Sequence, residues 1–147
     1  MSWPLRILHA TDFSPASRPA FARAVEFGKQ PRTKLFVLHV MMPPSPFLGS
    51  RLPSSYLELE AGAERDAARR MAGMVTKARK AGVKNVLSKV VTGAPAEEII
   101  RRARRWPAAL IVMGTHGRSG LGRAFMGSVA ERVLQGAACP VLTVRRR

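Results

Sequence analysis

Cysteine is almost missing from this sequence, because its 147 residues contain only Cys139. One cysteine excludes an internal disulfide and any zinc site built from several cysteines. Long hydrophobic runs are also missing, since no stretch approaches the roughly 18 apolar residues of a membrane-spanning helix. The opening MSWPLR lacks the charged and apolar regions of a signal peptide. These absences predict a cytoplasmic protein that has no membrane association.

Acidic residues are scarce: nine Asp and Glu stand against 25 Lys and Arg, for a formal net charge of +16. Such a charge attracts nucleic acid, anionic membranes and phosphorylated ligands. The basic residues are scattered along the sequence, however, and the aromatic residues (6%) are not interleaved with them. A platform for stacking bases is therefore not evident. We predict a basic solvated surface that binds nucleic acid at most weakly and without specificity.

Apolar residues are plentiful at 46%, enough for a core in a chain of ordinary domain size. With no internal repeat and no dividing linker, we expect a single domain over residues 1–147. Strand-like runs alternate with segments of helical spacing, which predicts an α/β fold with a parallel sheet covered on both faces. The predicted strands are Leu5–Ala10, Lys34–Val40, Val86–Val91, Ala108–Met113 and Val141–Val144. Helices are predicted after Ser14 as N-cap, over about Tyr56–Ala81, after Pro95, and from Ser128 to about Gly136.

A glycine-rich loop, Gly114 to Gly127, joins the fourth predicted strand to the last helix. Ligands of open α/β sheets bind beyond the carboxyl ends of the strands, where Asp12 also lies. Glycine lets backbone N–H groups approach an anion closely. The helix that begins at Ser128 adds free N–H groups and a partial positive charge. The segment therefore predicts a phosphate-binding loop.

Two other phosphate motifs fit this loop less well. A P-loop needs Gly-Lys-Ser/Thr, and Gly122 to Ser128 has the glycine spacing without the lysine. The dinucleotide fingerprint should follow the first strand, where no glycine stands. Ser128 and Glu131 also have the spacing of a capping box, which we expect to form at the helix start. That box leaves Gly114 and Gly117 unexplained.

The sequence resembles the universal stress protein family over its whole length. ATP-binding members carry Gly-x2-Gly-x9-Gly-Ser/Thr, which Gly114, Gly117, Gly127 and Ser128 match at full spacing. The segments TDFS (from Thr11), LHV (from Leu38) and CPVLTV (from Cys139) also resemble family segments at family positions. The resemblance implies an open five-stranded parallel sheet of order 3-2-1-4-5, Rossmann-like and of the adenine-nucleotide alpha hydrolase-like type. It also implies a homodimer paired through Val141–Val144.

The resemblance further implies ATP as the ligand, with Mg²⁺ as an optional companion. Asp12, beside Thr11, is expected near the ribose or adenine, and Val40 and Met113 are expected to present backbone to the adenine. The residues expected around the phosphates are Gly114, Gly117, Gly127, Ser128, Val129 and, as a neutralising charge, Arg118. Open alternatives are a helix cap for Asp12, plain core for Val40 and Met113, and a solvated charge for Arg118. Ala130 stands where some ATP-binding members have a hydroxyl, which weakens phosphate or metal contact.

Catalytic chemistry has little support in the sequence. Hydrolysis needs a positioned water or base and usually a metal clamp, but Asp12 and Glu131 each lack a second carboxylate beside them. His9, His39 and His116 share no metal-ligand spacing, so no metal site is predicted. We interpret the chain as an ATP-binding regulatory module of the stress response, at most a slow ATPase. The alternative is a family member that does not hold ATP and acts as a protein- or nucleic-acid-interaction module.

Overall fold

The computed structural model describes residues 5–44, 53–116 and 126–146. Its centre is a sheet of five parallel strands in the order 3-2-1-4-5, as predicted. Among the strands, the largest difference from the predicted bounds is at β4, which begins at Leu110 rather than Ala108. The strands are β1 (Arg6–Thr11), β2 (Lys34–Met41), β3 (Val86–Thr92), β4 (Leu110–Gly114) and β5 (Val141–Val144).

In the described part of the chain, four α-helices cover the sheet: α1 (Arg18–Gly28), α2 (Ser54–Lys80), α3 (Pro95–Arg105) and α4 (Ser128–Gly136). α1 and α2 pack on one face, and α3 and α4 pack on the other. This arrangement confirms the predicted fold. Within the described ranges, no helix is both long and apolar enough to span a membrane.

The alternation of side chains along the central strands builds the core. In β1, Ile7 packs with the α1–α2 layer, whereas its neighbour Leu8 packs with the α3–α4 layer, and both are fully buried. Ile111 and Val112 repeat the pattern in β4. Because successive strand side chains point to opposite faces, a strand covered on both sides needs apolar residues throughout. The strand ends are thereby held side by side between two layers of helices.

The start of the first helical segment differs from the prediction. Ser14 occupies the N-cap position, but its side chain makes no capping hydrogen bond. Pro15–Ser17 form a single 3-10 turn before α1 begins at Arg18. The Ser17 hydroxyl donates to the Ser14 carbonyl oxygen at 2.9 Å, which closes this turn from its other end.

The predicted capping box at the start of α4 is wrong. Gly127, not Ser128, is the N-cap, and no side chain caps the helix. The Gly127 N–H donates to the Thr115 carbonyl oxygen at 2.7 Å, and its backbone is extended (φ −65°, ψ 150°). Because this bond fixes Gly127 at the boundary, Ser128 falls inside the first turn, where its side chain cannot act as a cap.

Candidate functional site

A cleft of about 1130 Å³ opens at the carboxyl edge of the sheet. The ends of β1, β2 and β4 form its floor, α2 forms one wall, and the first turns of α3 and α4 form the other. The strand order reverses between β1 and β4, the place where open α/β sheets bind ligands. Typical small-ligand sites occupy roughly 300–1,000 Å³, so this cleft has room for a nucleotide.

Most of the predicted site residues meet in this cleft. Gly117 and Arg118 lie outside the described residues, as does the rest of the loop between 117 and 125. Eight predicted residues line the cleft: Thr11, Asp12, Val40, Met113, Gly114, Gly127, Ser128 and Val129. Four separate segments of the sequence therefore converge on one cavity.

Asp12 belongs to a tight turn after β1. Its Oδ1 accepts a hydrogen bond from the Ser14 N–H at 2.9 Å, and the Phe13 N–H donates to Thr11 Oγ1 at 3.0 Å. Phe13 adopts a left-handed conformation (φ 62°), which is rare for a residue other than glycine. In this Asx-type turn Asp12 caps a backbone N–H just before the 3-10 turn, which is part of what the capping alternative for Asp12 expects. The same turn holds the carboxylate at the cleft.

Gly114 is the last residue of β4 and lies beside the 3-10 turn. A Cβ atom at this position would lie 3.1 Å from the Ala16 carbonyl oxygen and 3.6 Å from Ser17 Cα. Such a contact with backbone leaves little freedom to move. Packing alone therefore favours glycine here, whatever ligand the cleft holds.

The N-terminus of α4 offers unpaired backbone donors to the cleft. The Glu131 N–H donates to the Gly127 carbonyl oxygen, so the helical ladder begins there. The N–H groups of Ser128, Val129 and Ala130 precede that bond and have no acceptor within the helix. With the helix dipole, they favour an anion at this end of the cleft.

Thr115 links this helix start to the edge of the sheet. Its carbonyl oxygen accepts from Gly127, and its N–H donates to the Val144 carbonyl oxygen at 3.2 Å. One residue therefore fixes both the start of α4 and the end of β5.

Two buried polar atoms in the cleft lack hydrogen-bond partners among the described residues: Ser14 Oγ and His116 Nε2. The other ring nitrogen of His116, Nδ1, lies 2.9 Å from Thr115 Oγ1. Buried side-chain polar atoms nearly always have a partner in protein or water. The two atoms therefore mark places where a ligand or ordered water would complete the site.

Sequence reasoning missed a wall of the cleft made by Phe13, His39, Asp66 and Arg70. The ring centroids of Phe13 and His39 are 4.2 Å apart, and Arg70 Cζ lies 5.8 Å from the Phe13 ring centroid. His39 Nδ1 donates to the Thr11 carbonyl oxygen at 2.8 Å. The available signals were the histidine near the end of a strand and the i,i+4 spacing of Asp66 and Arg70.

Asp66 anchors this wall through two arginines. Arg70 Nε donates to its Oδ2 and an Arg69 guanidinium nitrogen donates to its Oδ1, both at 2.7 Å. These hydrogen bonds hold the pKa of Asp66 below its ordinary value. Asp66 is therefore a carboxylate at neutral pH, committed to positioning Arg70 beside the Phe13 ring.

His9 lies behind the cleft floor and is fully buried. Burial lowers its pKa from 6.5 to about 4, against smaller raising effects from its bond to the Val112 carbonyl oxygen and from the Asp12 charge. His9 Nδ1 donates to that carbonyl oxygen at 3.0 Å. The imidazole is therefore neutral at pH 7. In the described part of the chain, no group of three His, Cys, Asp or Glu residues could hold a metal ion.

The chain matches the family model described as Universal stress protein family over residues 5–145. A universal stress protein of Methanocaldococcus jannaschii is 34% identical over 141 residues, which cover 96% of this chain and 82% of that relative. One from Bacillus subtilis is 32% identical over 146 residues, covering 95% and 98%. A hypothetical protein, solved as a structural-genomics test case, aligns with a TM-score of 0.85 at 28% identity and covers 99% of both chains.

Two further solved structures were determined as nucleotide complexes. A universal stress protein in complex with cAMP has a TM-score of 0.72 at 23% identity, over 99% of this chain and 100% of that chain. The universal stress protein of Archaeoglobus fulgidus in complex with dAMP has a TM-score of 0.67 at 22% identity, over 96% and 98%. At these identities the likeness is one of fold. From the family match and the two relatives, this chain belongs to the universal stress protein family.

Proposed function

We propose that the cleft binds ATP and that the protein is a cytoplasmic regulatory module of the stress response. One observation carries the proposal. The uncapped N-terminus of α4 and the Asp12 turn, which are far apart in the sequence, face the same cleft at the point where the strand order reverses. An anion-binding helix end next to a carboxylate turn suits a ligand with phosphates at one end and hydroxyl or amino donors at the other.

In this proposal the phosphates lie at the start of α4. The backbone donors of Ser128, Val129 and Ala130 supply hydrogen bonds there, and Gly127 keeps the approach free of a side chain. Because Ala130 is buried and carries no hydroxyl, this position contributes only its backbone N–H to the anion. An accompanying Mg²⁺ would bind mainly through phosphate oxygens and water, as this ion commonly does.

The base and sugar lie toward the ends of β1 and β2. Val40 is half-buried and Met113 is buried, so both offer backbone polar groups beside apolar side chains. Asp12 accepts hydrogen bonds, which suits ribose hydroxyls or an exocyclic amine. Ser14 Oγ and His116 Nε2 gain partners when a polar ligand enters, which fits the same assignment. The cAMP and dAMP complexes support an adenine nucleotide, because those proteins bind one on the same fold.

Binding without rapid hydrolysis fits the acidic residues of the cleft. One Asp12 oxygen is engaged by the Ser14 N–H, and Asp66 is committed to two arginines that lower its pKa. A carboxylate with a lowered pKa is a weak general base. We therefore propose signalling by nucleotide occupancy, with ATP turnover slow at most.

The protein is also proposed to be a homodimer joined through β5. Within the described sheet β5 pairs with β4 alone, so its outer side is an edge that a second β5 would cover.

Mass analysis of nucleotide released from purified, heat-denatured protein tests the proposed ligand. We expect ATP in the supernatant, and saturable ATP binding by calorimetry to the emptied protein. Absence of bound nucleotide together with no calorimetric binding at millimolar ATP would sink the proposal. The interaction-module alternative would then take its place.

A further inference from the structure

Basic residues gather at the edge of the sheet opposite the cleft, where helices end and the next strands begin. The segments 28–34, 77–85 and 102–109 contain no Asp or Glu. We call the exposed Lys and Arg of these segments the basic edge. It comprises nine residues: Lys29, Arg32, Lys34, Lys77, Arg79, Lys80, Lys84, Arg104 and Arg105.

Most of the acidic residues lie elsewhere, and Glu26, in the last turn of α1, is the one near the basic edge. Eight of the nine lie after β1, in the N-terminal half of α2, or in the first turns of α3 and α4: Asp12, Glu58, Glu60, Glu64, Asp66, Glu97, Glu98 and Glu131. The ninth, Glu26, pairs with Arg23 at 2.8 Å. Asp66 pairs with Arg69 and Arg70, and Glu98 pairs with Arg101. All of these pairs lie outside the basic edge.

Backbone contacts join the three segments into one continuous surface. Lys34 is in register with Arg6 of β1, and the Leu35 N–H donates to the Asn85 carbonyl oxygen at 2.9 Å. The Ala109 N–H donates to the Arg6 carbonyl oxygen at 2.8 Å. The surface thus crosses β3, β2, β1 and β4, about 14 Å at the usual strand spacing. A helix layer of about 10 Å on each face extends it by roughly 20 Å at right angles to that direction, which gives a surface broad enough to contact several phosphates of a duplex.

Helix dipoles explain only part of this distribution. Cations are favoured in the last turn of a helix, which accounts for Lys77, Arg79, Lys80, Arg104 and Arg105. Lys84 lies in a connection and Lys34 begins a strand, so neither lies in the last turn of a helix. Since like charges repel and destabilise the compact state, their collection on one surface calls for an anionic partner.

We infer that the basic edge binds the phosphate backbone of a nucleic acid duplex without reading its sequence. Binding to an anionic membrane surface usually uses an amphipathic helix that inserts aromatic or aliphatic side chains. No described aromatic residue is exposed, and the exposed Leu5 and Leu87 near this edge do not lie on a helix. Phosphate contacts carry no sequence information, and the helices reach this edge with their C-terminal ends rather than an insertable face. The basic edge is remote from the cleft, so it acts independently of ATP.

The test is fluorescence anisotropy of a labelled 20-base-pair duplex of arbitrary sequence, titrated with the full chain between 50 and 200 mM KCl. For six phosphate contacts the affinity should fall about a thousandfold over this range. Lys34→Gln/Lys84→Gln removes two contacts, so the slope of log K against log[KCl] should become shallower by about 1.8. At 50 mM KCl this variant should bind at least about tenfold more weakly.

Arg18→Gln/Arg65→Gln is the matched control, because it also removes two exposed positive charges but on the cleft half of α1 and α2. It should stay within about threefold of the wild type, since these charges lie more than a Debye length from the basic edge. Gly127→Asp should bind duplex normally, which separates this inference from the ATP proposal. Equal losses in both double variants, or no duplex binding at 50 mM KCl, would overturn the assignment. So would binding to phosphatidylserine vesicles without binding to duplex.

Discussion

A substitution at Gly127 gives the most direct test of the ATP proposal. Its backbone is extended (φ −65°), so a side chain can be added without the strain of a left-handed conformation. Gly127→Asp should keep the fold while placing a carboxylate among the α4 donors. Repulsion between like charges in a partly dry cleft should weaken ATP binding at least about a hundredfold, or roughly 2.7 kcal/mol. Calorimetry measures the loss, and circular dichroism checks the fold.

Gly73→Asp provides the control for that variant. Gly73 lies on α2 with open space around it, so the same carboxylate is added away from the cleft. ATP affinity should be unchanged in Gly73→Asp. Normal ATP affinity in a folded Gly127→Asp protein would instead show that the start of α4 holds no phosphate.

Ser14→Ala should weaken ligand binding without lowering the stability of the empty protein. The Ser14 hydroxyl is buried in the cleft lining without a partner, and it caps no helix. Removing an unsatisfied buried hydroxyl should leave the free energy of unfolding of the empty protein unchanged, or raise it by about 1 kcal/mol. ATP affinity should fall by several-fold. Chemical denaturation and calorimetry give the two numbers, and a loss of stability with unchanged affinity would contradict the assignment.

His9 makes stability depend on pH. Its pKa is about 4 in the folded protein and 6.5 when unfolded. The unfolded chain therefore takes up a proton first as the pH falls. The free energy of unfolding is therefore undiminished above pH 6.5, and it falls by about 3 kcal/mol between pH 6.5 and pH 4. His9→Asn, whose amide can still donate to Val112, should flatten this decline in urea unfolding. An NMR titration of His9 with a midpoint near 6.5 would refute the account.

At the scale of elements, β5 carries the dimer proposal. The Ile111 N–H donates to the Pro140 carbonyl oxygen and the Thr115 N–H donates to that of Val144. Alternate residues of a strand face the same neighbour, so the Thr143 N–H points away from β4. Thr143→Pro should remove an outward donor and give a folded monomer in sedimentation velocity, because proline blocks pairing on that side. Thr143→Val should remain dimeric; a folded, dimeric Thr143→Pro protein would argue against this interface.

The positions of the strands were the features that the sequence predicted most accurately. Central strands such as β1 are apolar in both registers, so the pattern located them within one or two residues. The starts of helices were harder, because long-range bonds decide them. Gly127 becomes the N-cap of α4 through its bond to Thr115, twelve residues earlier, and the capping-box spacing contains no trace of that contact.

For the whole molecule, ATP should raise the melting temperature. A ligand present at a hundred times its Kd adds about 2.7 kcal/mol to the free energy of unfolding. For a chain of 147 residues this corresponds to an increase of about 5 to 10 °C. Differential scanning calorimetry at fixed protein concentration measures it, with Gly127→Asp as the variant that should not respond. An equal increase in both proteins would point to binding outside the cleft.

The collection of positive charge at one edge is visible only in the whole folded molecule. Lys34, Lys84 and Arg104 lie in separate parts of the sequence, which predicted a scattered basic surface. The parallel topology returns every helix-to-strand connection to one edge, so the charges are collected there. The cleft wall of Phe13, His39 and Arg70 was missed for the same reason, since the β1 turn and α2 meet only in the folded chain.

In the proposed dimer, Thr115 connects the nucleotide cleft of each protomer to the interface with its partner. Its carbonyl oxygen holds the helix end assigned to the phosphates, and its N–H holds the last residue of the strand assigned to the dimer. A displacement of Gly127 by an entering ligand would therefore be transmitted to Val144 through the backbone of Thr115. Thermodynamic reciprocity then requires that whatever ATP does to the strength of the dimer, dimerisation does equally to the affinity for ATP.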